Sequence, residues 1–148
     1  MQFSISVTGI DETIKNLQNV ARGLADHRDF LRIEVFPELK RIFREVFSTR
    51  GFGDWPPLAA STLAERRRRG FGTRPLIRTG DYLRNSTGLH GLRLRRNILE
   101  IVSPVKYARY HEYGTRRIPE RPVFKLVVNR IRPELPKLYR KFRRRQRR

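Results

Sequence analysis

Leu92-Arg93-Leu94-Arg95-Arg96-Asn97-Ile98-Leu99-Glu100-Ile101-Val102 is the stretch on which the fold turns. Leu92 and Leu94 alternate with Arg93 and Arg95, the period of a strand with one buried face. Arg96-Asn97 makes a tight turn, because Asn tolerates a left-handed backbone. Ile98 to Val102 is then the partner strand of a hairpin. Downstream, Ser103 reads as a helix cap, Pro104 as the first helical residue and Gly114 as the residue past the end. Residues 115–122 hold two prolines and read as irregular. A helix is expected over Val123 to Asn129, resuming from Pro133 to Phe142. The Arg-rich end beyond it is expected to be frayed, or ordered only by a partner.

Upstream of the hairpin the pattern turns helical. Phe3, Ile5 and Val7 alternate with Ser4, Ser6 and Thr8, a short strand that Gly9 ends. Asp11 can cap a helix with Ile14, Leu17, Ala21 and Leu24 on one face. A second helix carries Phe36, Leu39, Ile42, Phe43, Val46 and Phe47. Pro37 is tolerated in a first turn and breaks an interior, so this helix starts near Phe36 or kinks there. Residues 50–58, Arg-Gly-Phe-Gly-Asp-Trp-Pro-Pro-Leu, are irregular, with Trp55 as the anchor of the loop. Ser61 caps a short helix through Leu63 to Arg69, and Thr79 or Asp81 caps a turn holding Tyr82 and Leu83. The expected class is α+β: a small, mostly antiparallel sheet packed against two longer N-terminal helices, with long irregular loops and a C-terminal helix. At 148 residues one domain is the default, here 1–139 with an Arg-rich tail at 140–148.

The charge is one-sided. The chain carries 34 Lys+Arg against 14 Asp+Glu, a net +20. Residues 1–60 are neutral, so the whole excess lies beyond them, and Arg140 to Arg148 contribute +7 of it. Most of the basic groups are Arg, which bind phosphate and carboxylate in a bidentate fork and suit polyanions and acidic protein surfaces alike. A GC-rich or thermophilic source would also enrich Arg. Arg66-Arg67-Arg68-Arg69 ends a helix, where positive charge also favours the dipole, and Arg93 and Arg95 also fit a solvated hairpin face.

Catalytic patterns are not found. There is no Cys, hence no disulfide or thiolate metal site. His27, His90 and His111 stand in no metal-ligand spacing, and neither a phosphate-binding loop nor a nucleophile elbow is present. No enzymatic activity, cofactor or metal is expected. No apolar run approaches the roughly 20 residues of a membrane span, and Met1-Gln2-Phe3-Ser4 lacks the pattern of a signal peptide.

Four short motifs stand in order: Trp55-Pro56-Pro57-Leu58; Leu76 with Thr79-Gly80-Asp81-Tyr82-Leu83; Tyr107-Ala108-Arg109-Tyr110-His111-Glu112-Tyr113-Gly114-Thr115; and Ile118-Pro119-Glu120-Arg121-Pro122-Val123-Phe124. In this order and spacing, over residues 52–124, the chain resembles the phage virion-morphogenesis, or tail-completion, family of Mu-like phages and prophages. It departs from that pattern at Glu120 and Val123.

The resemblance implies a structural protein of the head–tail junction. It would be assembled in the bacterial host cytoplasm and located in the virion tail or neck. It would form a ring with copies of itself, sixfold by guess, around the DNA path. Its partners would be other neck and tail proteins, with non-specific proximity to genomic DNA and no membrane. Heterologous contacts close such a ring, and the loops at 48–60 and 70–78 are candidates for arms reaching a neighbour. Candidate interface residues are Trp55, Pro57, Leu58, Tyr107, His111, Arg121 and Phe124. Trp55 alternatively packs on its own subunit, and Arg121, held between two prolines, forms a fixed ion pair within or between subunits. Candidates to face the DNA lumen or an acidic partner are Arg66, Arg67, Arg68, Arg69, Arg93, Arg95 and Arg96. The alternatives are a basic nucleic-acid-binding module and a transient assembly factor.

Overall fold

The computed structural model describes the backbone of residues 3–6, and residues 27–88, 91–95, 98–103 and 105–146 in full. The expected helix through Ile14 to Leu24 lies outside the described residues, as do His90, the Arg96-Asn97 turn, Pro104 and the last two arginines. The described part is α+β. Strand β1 (Phe3–Ser6) is followed by α1 (Arg28–Phe30), a π turn (Leu31–Val35), α2 (Phe36–Ser48), α3 (Ala60–Arg68) and α4 (Asp81–Thr87). Strands β2 (Leu92–Arg95) and β3 (Ile98–Ser103) come next. Helices α5 (Ala108–Tyr113), α6 (Phe124–Ile131) and α7 (Leu135–Gln146) complete the order, with a 3-10 turn at Arg132–Glu134.

The hairpin forms as its alternation predicts. β2 pairs antiparallel with β3, Leu92 opposite Ile101 and Leu94 opposite Leu99. Leu92, Leu99 and Ile101 are buried, while Arg95 on the alternate register is exposed. β1 adds antiparallel to the free edge of β3, giving the order β1-β3-β2.

Helix α2 supplies the centre of the core. Leu39, Ile42, Phe43, Val46 and Phe47 recur at three- and four-residue spacing and are all buried. Each fully buried side chain of this size stabilises by about 1.5–3 kcal/mol before entropy is counted. On the solvent face Arg41 pairs with Glu38 (2.6 Å) and Glu45 (2.9 Å), one turn away on either side. α2 packs against α6 and α4. Phe43 meets Phe124 edge-on at 5.8 Å, and Phe47 meets Tyr82 edge-on at 5.3 Å.

Pro37 sits in the first turn of α2, as expected, but the chain is already helical before it. The helical path begins at Arg28 and runs through the π turn into α2. The Phe36 N–H bonds back to the Leu31 carbonyl, an i to i−5 bond. That wider turn, placed just before Pro37, accommodates a ring that has no N–H to give and would crowd a regular α-helix.

The C-terminal tail is corrected. α7 continues to Gln146, and its apolar side packs on the rest of the chain. Phe30 meets Tyr139 edge-on at 5.2 Å and Phe142 at 5.7 Å. Glu34, buried on the π turn, takes Lys141 (2.9 Å) and Arg145 (2.5 Å). A buried carboxylate needs cations close by, so the basic end is held down by this chain itself. Helix α5 also starts later than expected, at Ala108; Ser103 ends β3, and its hydroxyl accepts the Val105 N–H.

Candidate functional site

The motif segments, far apart in sequence, are stitched into one locus. The link begins at the loop after α2. Arg50, Gly51, Phe52 and Gly53 all have positive φ, between 57° and 93°. This left-handed run brings Trp55 back onto the core. Its ring stands edge-on to Phe47 at 5.8 Å, and its indole Nε1 donates to the Pro122 carbonyl at 3.0 Å. Trp55 is 5% exposed, so it packs on its own subunit and offers no surface to a neighbour. Phe124, 1% exposed, is likewise a core residue.

Arg121 is buried and bonds to neutral groups, not to an acid. Its Nε donates to the Pro56 carbonyl (2.9 Å) and its Nη2 to the Pro57 carbonyl (2.7 Å). Its backbone N–H donates to the His111 carbonyl at 2.7 Å. The expected ion pair is therefore replaced by a guanidinium clamp on two proline carbonyls that lie outside any helix or strand ladder. Arg66 acts likewise on the neighbouring loop. Its Nη1 donates to the carbonyls of Arg74 (2.8 Å), Gly72 (3.1 Å) and Ile77 (3.4 Å), holding the 70–78 loop closed. Only its Arg-run neighbours Arg67, Arg68 and Arg69 are exposed, and Arg69 pairs with Glu65 at 3.0 Å.

Glu112 is the residue that sequence reasoning missed. It is buried, and its two oxygens accept three backbone N–H groups: Val123 (2.7 Å) and Phe124 (3.1 Å) on Oε2, and Lys125 (2.8 Å) on Oε1. The first N–H groups of a helix have no partner within it. No Ser, Thr, Asp or Asn precedes Phe124 at the cap position. An uncapped start of this kind calls for an acceptor from elsewhere, and that is the signal the sequence offers. A carboxylate there also complements the positive end of the helix dipole.

Of these clamps, Arg66 and Arg121 line an open cavity of about 560 Å³. Its basic lining is Arg66, Arg78, Arg121 and His111; its one carboxylate is Asp81; Leu58, Leu76, Phe71 and Tyr107 form apolar walls. Four candidate interface residues, Leu58, Tyr107, His111 and Arg121, thus meet here, together with Arg66. Pro57 is exposed on the adjoining loop. Arg93 and Arg95 lie on β2 instead, Arg93 opposite Glu100 and Arg95 within 3.7 Å of it.

The electrostatics follow from the crowding of cations. Burial, and then the nearby Arg78, pull the Arg66 guanidinium below its usual range. Burial, and then Arg66, do the same to Arg121. Asp81 is held below the carboxylate range by the Thr79 hydroxyl and then by Arg84. His111 is pushed below its ordinary value by burial and then by Arg121, and its Nδ1 is buried without a hydrogen-bond partner.

A pH dependence follows. The unfolded His111 takes a proton near pH 6.5, about the ordinary value, and the folded one only at lower pH. Between those two values the unfolded state binds more protons, so stability falls as pH falls through that window and is recovered above it. Urea midpoints measured across this range are expected to fall more steeply for the native chain than for His111→Gln. A histidine resonance for His111 titrating at or above the ordinary value contradicts this.

A second basic feature lies on α7. Lys137, Arg140, Lys141, Arg144 and Arg145 line a shallow groove of about 310 Å³. Their spacing, i, i+3, i+4, i+7 and i+8, puts them on one helical face. Composition alone assigns most of this face to a frayed tail.

Among the described residues no group of three His, Asp or Glu is placed to hold a metal, and no helix is long and apolar enough to cross a membrane. Comparison of the chain with protein-family models, with curated proteins and with solved structures finds no match.

Proposed function

We propose that the chain is a structural subunit of a phage-like particle, placed at the head–tail junction as a ring around the DNA path. The observation that carries this reading is the convergence of the motifs through which it resembles the tail-completion family. Trp55 is tied to Pro122, Arg121 to Pro56 and Pro57, and Glu112 to the start of α6. These bonds tie the motif segments into one ledge, which is what a subunit with fixed contact faces requires. Beside the ledge, α5 and the residue before it present Tyr107, Tyr110 and Tyr113, which are 44%, 39% and 67% exposed. Exposed aromatics at this spacing are suited to anchoring a protein interface. Proteolysis and mass spectrometry of purified particles test the reading. The chain is expected among the components of mature particles, and its absence from them contradicts a structural role and favours a transient assembly factor.

The basic face of α7 favours a second reading, a nucleic-acid-binding module. In the assembly reading the same face lies toward the DNA and binds it without sequence preference. The double variant Arg140→Gln, Arg144→Gln, which leaves both partners of Glu34 in place, is expected to weaken duplex binding equally for unrelated sequences. It is expected to reduce the log–log salt slope by about 0.9 for each phosphate no longer neutralised. Filter binding at graded salt measures both. A variant that binds DNA with the original slope places the DNA-contacting surface elsewhere.

A further inference from the structure

We propose that the cavity between α3, α4 and α5 receives a carboxylate side chain from an extended segment of a partner protein. The proposal deepens the assembly reading and rests on it in one respect, that the partner is protein. Three guanidiniums line the cavity against a single carboxylate. That carboxylate, Asp81, is already engaged by Thr79 and Arg84. Arg66 and Arg121 are 8% and 4% exposed, and their hydrogen bonds go to carbonyls. A buried cation whose hydrogen bonds go only to neutral groups keeps a charge that is incompletely balanced, by Glu65 at a distance for Arg66 and by no such acid for Arg121, and an entering anion would complete the balance. The depressed guanidinium values have the same origin.

The fork of each arginine has donors left. Arg66 uses Nη1 alone, and Arg121 uses Nε and Nη2. The Nε and Nη2 of Arg66 and the Nη1 of Arg121 have no acceptor among the described residues. Arg78 stands at the rim, its guanidinium 4.6 Å from the Phe71 ring centroid and bonded to Glu65 at 3.1 Å. It is 45% exposed on its side chain and so can turn to a newcomer.

The shape selects the source of the anion. The phosphates of a duplex are fixed on a broad rigid surface and reach exposed arginines, whereas Arg66 and Arg121 are nearly buried in the lining of a cavity. A carboxylate on a flexible side chain can enter it. Leu58, Leu76, Phe71 and Tyr107 would meet the apolar neighbours of that residue. An acidic residue flanked by aliphatic ones therefore fits the lining.

The test is an NMR titration of the full chain with the peptide acetyl-Ala-Leu-Glu-Leu-Ala-amide, its Gln counterpart, inorganic phosphate and a short DNA duplex. The Glu peptide is expected to give saturable shifts at the His111 ring and at the Arg66 and Arg121 Nε–H signals, with the Gln peptide weaker by about tenfold or more. Arg78→Gln, at an exposed position, is expected to weaken the Glu peptide roughly tenfold while leaving amide signals away from the cavity and from its partner Glu65 unmoved. Equal binding of both peptides, no saturable shift, or phosphate or duplex moving the same signals at lower concentration overturns the proposal. These outcomes are read on the isolated chain, so a failed titration is distinct from a chain missing from particles.

Discussion

Glu112→Ala is expected to lower the stability of the domain by about 3 kcal/mol or more, because backbone N–H donors lose a charged acceptor and each buried one left unsatisfied costs about 1–3 kcal/mol. The reason is local and countable. Three N–H groups at the start of α6 lose their acceptor, and each sits where the segment is buried or half-buried. α6 carries Phe124, Val127 and Ile131 into the core, so loosening its first turn loosens the helix that packs on α2. Glu112→Gln is expected to lose less, because one oxygen still accepts, while its NH2 group faces N–H donors instead of meeting them. Urea unfolding followed by circular dichroism measures both. A loss below about 1 kcal/mol for the alanine variant would mean that the helix start is satisfied without Glu112.

Gly51→Ala is expected to cost about 3 kcal/mol or more. The position has φ +67°, and an added Cβ would lie 2.3 Å from Trp55 Nε1 and 2.4 Å from its Cδ1. The indole must leave its seat, which gives up the bond to Pro122 and the edge contact with Phe47. Displacing a buried Trp has an effect comparable to truncating a large aromatic, about 3–5 kcal/mol, and the left-handed backbone adds about 1 kcal/mol. Gly53 supplies the control. It also has positive φ, but nothing lies within 4 Å of its added Cβ, so Gly53→Ala is expected to cost only the backbone strain, about 1 kcal/mol. Trp55 is the chain's single tryptophan, so its fluorescence reports the displacement directly. Equal destabilisation by the two variants would contradict the packing assigned to Trp55.

Local patterns are enough for the elements. The Leu92-to-Val102 alternation and the apolar spacing of Leu39 to Phe47 need no information from elsewhere in the chain, and both elements form as expected. What escapes a sequence reading is set by long-range partners. Glu112 looks like an ordinary helix carboxylate until α6 begins 12 residues later at its tip. Arg66 is one of four like residues, and only the path of the 70–78 loop separates it from Arg67 to Arg69. The end of α7 is misread because composition dominates a run of arginines, whereas the deciding group, Glu34, lies 111 positions away. Pro37 is rightly seen as incompatible with a regular interior, yet the remedy is a π turn, which leaves no mark in residue spacing.

The candidate site is half legible. Leu58, Tyr107, His111 and Arg121 stand out in the sequence and do line one cavity. Trp55 and Phe124 belong to the same motifs but are buried, because a large aromatic beside a turn serves the core as readily as a surface. The net +20 narrows accordingly. Some of it stabilises the fold through Arg66, Arg121 and Arg145, some lines the cavity, and some is displayed along α7.

A reconstruction of the intact particle tests the central claim most directly. The account predicts copies of this chain closed into a ring around the axial channel at the junction of head and tail, with α7 toward the DNA and the exposed tyrosines of α5 against a protein neighbour. A complete reconstruction of the neck and tail end with no density for this chain, or with the chain present but away from the DNA path, would contradict it.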